Sequence, residues 1–161
     1  MAETKLSKDA FEFIQCLNAR DVDYLLVGGW AVVIYSRPRY TGDYDFFLRR
    51  SEENAEKLLA ALVDFGFGTL DITKTDLMKP DFVIQLGQEP NRIDLLTSID
   101  GVEFDACFSR RKIVVNNGYQ ISLISRDDLL MNKRASGRAK DLADIEALEP
   151  KLTVRRKGPR R

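Results

Sequence analysis

Asp43 and Asp45 stand two residues apart in the segment Asp43-Tyr44-Asp45-Phe46-Phe47-Leu48. On a strand that spacing sends both side chains out of the same face. Two carboxylates side by side repel unless a cation sits between them, and an oxygen-rich pair of this kind suits Mg²⁺ held together with substrate phosphates. Upstream, the apolar run Tyr24–Val27 ends in Gly28-Gly29. Glycines let the backbone turn sharply and let a ligand approach the main chain closely. A helix starting at about Trp30 would aim its free N–H groups at whatever lies over those glycines, which is a place for phosphate. The chain contains no histidine. His-based triads, His general bases and His metal ligands are therefore excluded, and acid–base or metal chemistry must use Asp, Glu, Lys, Tyr or Cys.

The elements that would carry these residues follow from pattern. Tyr24–Val27 is short, apolar and partly β-branched, and reads as a buried strand. The helix from Trp30 to Tyr35 and the polar linker Ser36–Gly42 lead to a second strand beginning at Asp43. Residues 7–20 predict a packing helix capped by Ser7, with Ala10, Phe13, Ile14 and Leu17 on one face and Phe11 widening it. Residues 52–65 predict another, with Ala55, Leu58, Leu59, Leu62 and Val63 inward and Gly66 as its C-cap. The stretch 69–90 is less clear. Within it Asp81–Leu86 reads as a strand, which pairs as a hairpin with Arg92–Thr97. Residues 103–111 read as a short helix or loop, and Lys112–Val115 with Tyr119–Ile124 as a hairpin around Asn116-Asn117-Gly118. Ser125 caps a helix carrying Leu129, Leu130 and Lys133 and broken at Gly137. A last helix, Arg138–Leu148, has Leu142, Ile145 and Leu148 inward.

Asp94 lies inside the apolar strand Arg92–Thr97. A carboxylate there is costly unless it is paired or bound to metal. It could hold a cation, pair with Arg92 or a lysine, or face solvent from a strand edge. Asp105, in Val102-Glu103-Phe104-Asp105-Ala106, competes for any third-carboxylate role.

A Gly-Gly pair at a strand end, residues 30–42, then Asp-x-Asp on the next strand resembles the signature of the DNA polymerase β-type nucleotidyltransferase superfamily. GGWAV followed by Arg37-Pro38-Arg39-Tyr40-Thr41-Gly42-Asp43-Tyr44-Asp45 is similar to its small bacterial branch, which includes antibiotic nucleotidyltransferases and nucleotidyltransferase-like proteins of type IV toxin–antitoxin systems. The resemblance covers about residues 24–148 and implies an α/β fold, a small mixed sheet flanked by helices with the site at one sheet edge. It implies transfer of a nucleoside monophosphate from an NTP to a hydroxyl. Asp43 and Asp45 would bind Mg²⁺, and Asp94 would complete the metal site or act as general base. Gly28 and Gly29 would hold the β and γ phosphates, and Arg37 or Arg39 could add charge there. The closing segment LLMNKRASGRAKDLADIEAL also resembles the family, and makes Lys133 a candidate phosphate contact or else a solvated helix charge. Arg138 and Lys140 with Asp141 and Asp144 are expected to form surface pairs. The antibiotic members commonly carry a histidine shortly before the first Asp, and more chain for the acceptor. The segment here is Arg39-Tyr40-Thr41-Gly42, which points away from an antibiotic and toward tRNA or a protein as acceptor. A catalytically silent binding or antitoxin-like module is the alternative.

At 161 residues, with 44% apolar and 31% charged content, the chain has the composition of a soluble globular domain, expected over 1–150. Lys151, Arg155, Arg156, Lys157, Arg160 and Arg161 form an acid-free tail over 151–161. That tail is expected to be disordered, either as a solvated end or as a non-specific RNA contact. Removing those six leaves 19 basic against 25 acidic residues, a net of −6, which argues against a dedicated DNA binder. No stretch reaches membrane-span length, and Cys16 and Cys107 form no metal or redox motif, so a reduced, cytoplasmic protein is expected.

Overall fold

The computed structural model of the protein describes residues 6–150. The basic segment 151–161 lies outside the described residues. The chain runs α1 (Lys8–Ala19), β1 (Tyr24–Val27), α2 (Gly28–Tyr35), β2 (Asp43–Leu48), α3 (Glu52–Phe65), α4 (Lys74–Met78), β3 (Val83–Leu86), β4 (Arg92–Leu96), α5 (Phe104–Ser109), β5 (Lys112–Asn116), β6 (Tyr119–Leu123), α6 (Arg126–Ser136) and α7 (Asp141–Leu148). The six strands form one mixed sheet in the order β3-β4-β2-β1-β6-β5. The fold is α/β, as the motif pattern implied. No helix among the described residues is long and apolar enough to cross a membrane.

Local chemistry explains most boundaries. Ser7, Ser51 and Ser125 each accept a backbone N–H three residues on, capping α1, α3 and α6. Gly66 and Gly137 end α3 and α6 in the left-handed region. α4 escaped the sequence reading although its signal was present. Thr73 and Asp76 form a capping box, each side chain bonding the other's backbone N–H. Two side chains expected inward point outward: Val63 is 61% exposed and Leu142 66%. α2 begins at Gly28 rather than at Trp30.

The sheet sorts its side chains by parity. Along β2, Tyr44 and Phe46 turn to one face, where Phe46 meets Phe13 of α1 edge-on at 5.2 Å between ring centroids. Asp43, Asp45 and Phe47 turn to the other, where Phe47 meets Phe104 of α5 at 5.1 Å. Each fully buried aromatic of this kind contributes about 1.5–3 kcal/mol. The core thus holds β2 from both faces through Tyr44, Phe46, Phe47 and Leu48 and leaves the carboxylates of Asp43 and Asp45 at the strand's other end. β2 runs antiparallel to β1 and parallel to β4, with Val27, Asp45 and Asp94 in one register row and Asp43 beside Arg92 two rows along, on the same face.

Candidate active site

Asp45 and Asp94 are neighbours because a parallel ladder places them opposite each other. Asp43, one pleat along the same face, completes the group. One carboxylate oxygen from each of Asp43, Asp45 and Asp94 lies within 4.8 Å of the other two. The three line a cavity of about 730 Å³ together with Gly29, Arg39, Thr41, Lys133 and Asp144. Asp105, the competitor for the third place, is on α5, where its carboxylate is exposed and paired with Arg49.

Arg92 supplies the internal counter-charge. Its Nε donates to Asp94 Oδ1 at 2.8 Å, and its Nη2 donates to Asp94 Oδ2 at 3.0 Å and to Asp43 Oδ2 at 2.7 Å. Those hydrogen bonds, Asp94's foremost, raise Arg92 above its ordinary range. Asp45 has no such partner among the described residues. Burial first, then the charges of Asp43 and Asp94, push its carboxyl up to about 7, against a smaller downward pull from Lys133. Burial and Asp94 also raise Asp43, with Arg92 opposing. A carboxyl raised by burial and by specific neighbouring charges in a cavity is the pattern of a functional-site candidate.

The glycine turn abuts this cluster directly. Gly28 sits at φ +67°, and a Cβ there would lie 2.9 Å from Asp45 Cγ, with an Asp45 oxygen closer still. Gly29 has ordinary φ, but a Cβ on it would lie 2.7 Å from Thr41 Oγ1 and 2.9 Å from Arg39 Nη2. Gly28 is thus required by conformation and by space, Gly29 by space alone.

Residues 6–157 match the family described as nucleotidyl transferase of unknown function (DUF2204). The chain belongs to this family. Among solved structures, it is similar to an antigenic nucleotidyltransferase-like protein from Paracoccidioides brasiliensis, at 17% identity over 90% of this chain and 78% of that one, with a TM-score of 0.48. No curated protein matches.

In this DUF2204 member the closing helices depart from expectation. Lys133 is not a solvated helix charge: it is 5% exposed, and its Nζ donates to Asp141 Oδ1 at 3.1 Å and lies 3.2 Å from Asp144 Oδ2. Asp141 is fully buried and Asp144 nearly so, which corrects the expectation of surface pairs. Arg138 still reaches Asp141 from outside, at 3.1 Å. Burial alone would raise Asp141, but hydrogen bonds from Ser136 and then Lys133 outweigh it and bring it down to about 2. Arg39 closes the network, its Nη2 donating to Asp144 Oδ2 at 3.0 Å while its Nε lies 2.9 Å from Asp144 Oδ1 as an ion pair. Apolar periodicity put Leu142 inward because it cannot see that a remote lysine makes an acidic face the better one to bury. Arg92 and Asp94 are two apart on a strand, so they share a face as Asp43 and Asp45 do.

Proposed function

We propose that the protein transfers a nucleoside monophosphate from an NTP to a hydroxyl of an RNA or protein acceptor. The observation that carries this reading is the convergence of Asp43, Asp45 and Asp94 on one cavity beside a glycine turn. The donor set suits Mg²⁺: all three ligands are carboxylate oxygens, and ligands at about 2.0–2.1 Å from one ion lie no more than about 4.2 Å apart, within slight adjustment of the spacing found. Burial and the neighbouring carboxylates raise the Asp45 carboxyl, and a bound cation would favour its ionised form. When bound, the ion would neutralise charge developing on the triphosphate. Lacking side chains, Gly28 and Gly29 let Asp45, Thr41 and Arg39 close on the turn, beside which the β and γ phosphates would approach. The acceptor oxygen attacks the α phosphorus, its proton passes to Asp94, the α–β anhydride bond breaks and pyrophosphate leaves. Lys133, held by two carboxylates at the cavity wall, contributes a fixed charge near Asp45.

A second reading has one observation behind it. Arg92 already engages Asp43 and Asp94, as a silent module with no catalytic ion would require. Incubation with each α-labelled NTP, Mg²⁺ and total RNA or cell lysate separates the two. Label transferred to a macromolecule, and reduced at least about 10²-fold by Asp45→Asn with the circular dichroism spectrum unchanged, is the expected result. Metal-dependent NTP binding with no transfer to any acceptor would favour the silent module.

A further inference from the structure

We infer that Arg39 is the residue that distinguishes a nucleoside triphosphate from a monophosphate in this site, and that Asp144 positions it for that task. The inference rests on the nucleotidyl-transfer reading above. Of the two arginines in the linker between α2 and β2, only Arg39 lines the cavity shared by the three carboxylates. Its Nη2 stands over the glycine turn, 2.9 Å from where a Cβ on Gly29 would be.

The guanidinium is anchored on one side and free on the other. Nη2 donates to Asp144 Oδ2, Nε lies 2.9 Å from Asp144 Oδ1, and Nη1 donates to the carbonyl oxygen of Tyr40 at 2.8 Å. A guanidinium has five N–H donors. Nη1 and Nη2 each use one, so one hydrogen on each is uncommitted, on a side chain that is 35% exposed. Two parallel donors from one planar group match two oxygens of a phosphate. Lys133 is a poorer candidate for this contact, because it is buried against both Asp141 and Asp144.

The anchor is stiff. Asp144 is 5% exposed and takes charge from Arg39 and Lys133 together, while Asp141 holds Lys133 from its other side. This chain of pairs ties the linker to α6 and α7, so the fork of Arg39 is already oriented before any anion arrives. Preorganisation of this kind lowers the ordering cost of binding. It also fixes where the polyphosphate end of the nucleotide lies: on the linker side of Asp43 and Asp45, over Gly29.

The test is calorimetry with Mg²⁺ and each of the four non-hydrolysable NTPs, alongside the matching NMPs, on the full chain. Arg39→Gln is expected to weaken NTP binding at least tenfold and NMP binding less than twofold. Arg39→Lys keeps the charge without the fork and is expected to fall between. Asp144→Asn should shift the NTP-to-NMP affinity ratio in the same direction by a smaller factor, which a purely structural loss would not do, since that would weaken both nucleotides alike. Equal effects of Arg39→Gln and Arg39→Lys on NTP and NMP, or no effect on either, would overturn the assignment of Arg39 while leaving nucleotidyl transfer standing. Absence of metal-dependent NTP binding by the unaltered chain would overturn both.

Discussion

Asp45 has no ion-pair partner among the described residues, while Arg92 serves both Asp43 and Asp94. Without metal the chain therefore keeps a proton on Asp45 up to about pH 7, where an ordinary aspartate releases it near 3.8. Between those values the folded chain binds a proton that the unfolded chain has lost, so stability falls as pH rises through this window and the loss is complete above about 7. Asparagine removes the effect. In EDTA, Asp45→Asn should be more stable than the unaltered protein at pH 8 by about 1–2 kcal/mol, with the advantage shrinking toward pH 4. Urea titrations across pH 4–8 measure it. A constant difference at all pH values would mean that Asp45 is not the titrating group. Asp43→Asn is a poorer choice for this test, since it also removes the 2.7 Å contact with Arg92.

At the scale of elements, the junction between β1 and α2 decides how near the backbone comes to the carboxylates. Gly28 is in the left-handed region, which costs a residue with a side chain about 1–2 kcal/mol. Its missing Cβ is also the space that the Asp45 side chain occupies. Gly28→Ala should therefore destabilise by more than the backbone term alone, about 2–4 kcal/mol, and displace Asp45 from Asp94. A double-mutant cycle with Asp45→Ala separates the two costs, because the steric share should largely vanish when the carboxylate is gone. Additive losses in denaturant melts would show that the turn and the strand do not press on each other. The loop from Ser36 to Gly42 works on the same junction from above: Thr41 Oγ1 donates to the Asp43 carbonyl oxygen at 3.2 Å and closes over Gly29.

For the molecule as a whole, the site is a joint between its parts. β1, β2 and β4 bring the glycine turn and carboxylates, the linker brings Arg39, and α6 and α7 bring Lys133, Asp141 and Asp144. A ligand bridging them should stabilise the whole chain, since only the folded state assembles them. Mg²⁺ with a non-hydrolysable NTP at a hundred times its Kd contributes about 2.7 kcal/mol, or roughly 5–10 °C in Tm for a chain of this length. Asp45→Asn, ahead without ligand, should gain little from it and fall behind. Thermal melts of both proteins with EDTA, with Mg²⁺ alone and with Mg²⁺ plus NTP show whether the order reverses. Parallel melting curves would argue that the cluster is structural.

Much of this was legible in the order of residues. A period of two puts Asp43 and Asp45 on one face wherever a strand forms, serine caps and glycine stops set most helix ends, and the lack of histidine leaves carboxylates as the site's donors. These are local consequences of backbone geometry, so they need no knowledge of the fold. The tertiary structure decided what depends on pairs far apart in the chain. Asp94 could have faced solvent or joined the cluster, and the parallel register of β2 and β4 placed it beside Asp45, with Arg92 bonded to Asp94 and Asp43. Asp144 could have been a surface charge, and a contact spanning 105 residues to Arg39, together with Lys133, made it a buried anchor. Helical periodicity favours the apolar face of α7 for burial. A charge is buried only where its counter-charge is already waiting, and that meeting is set by how α6, α7 and the linker pack.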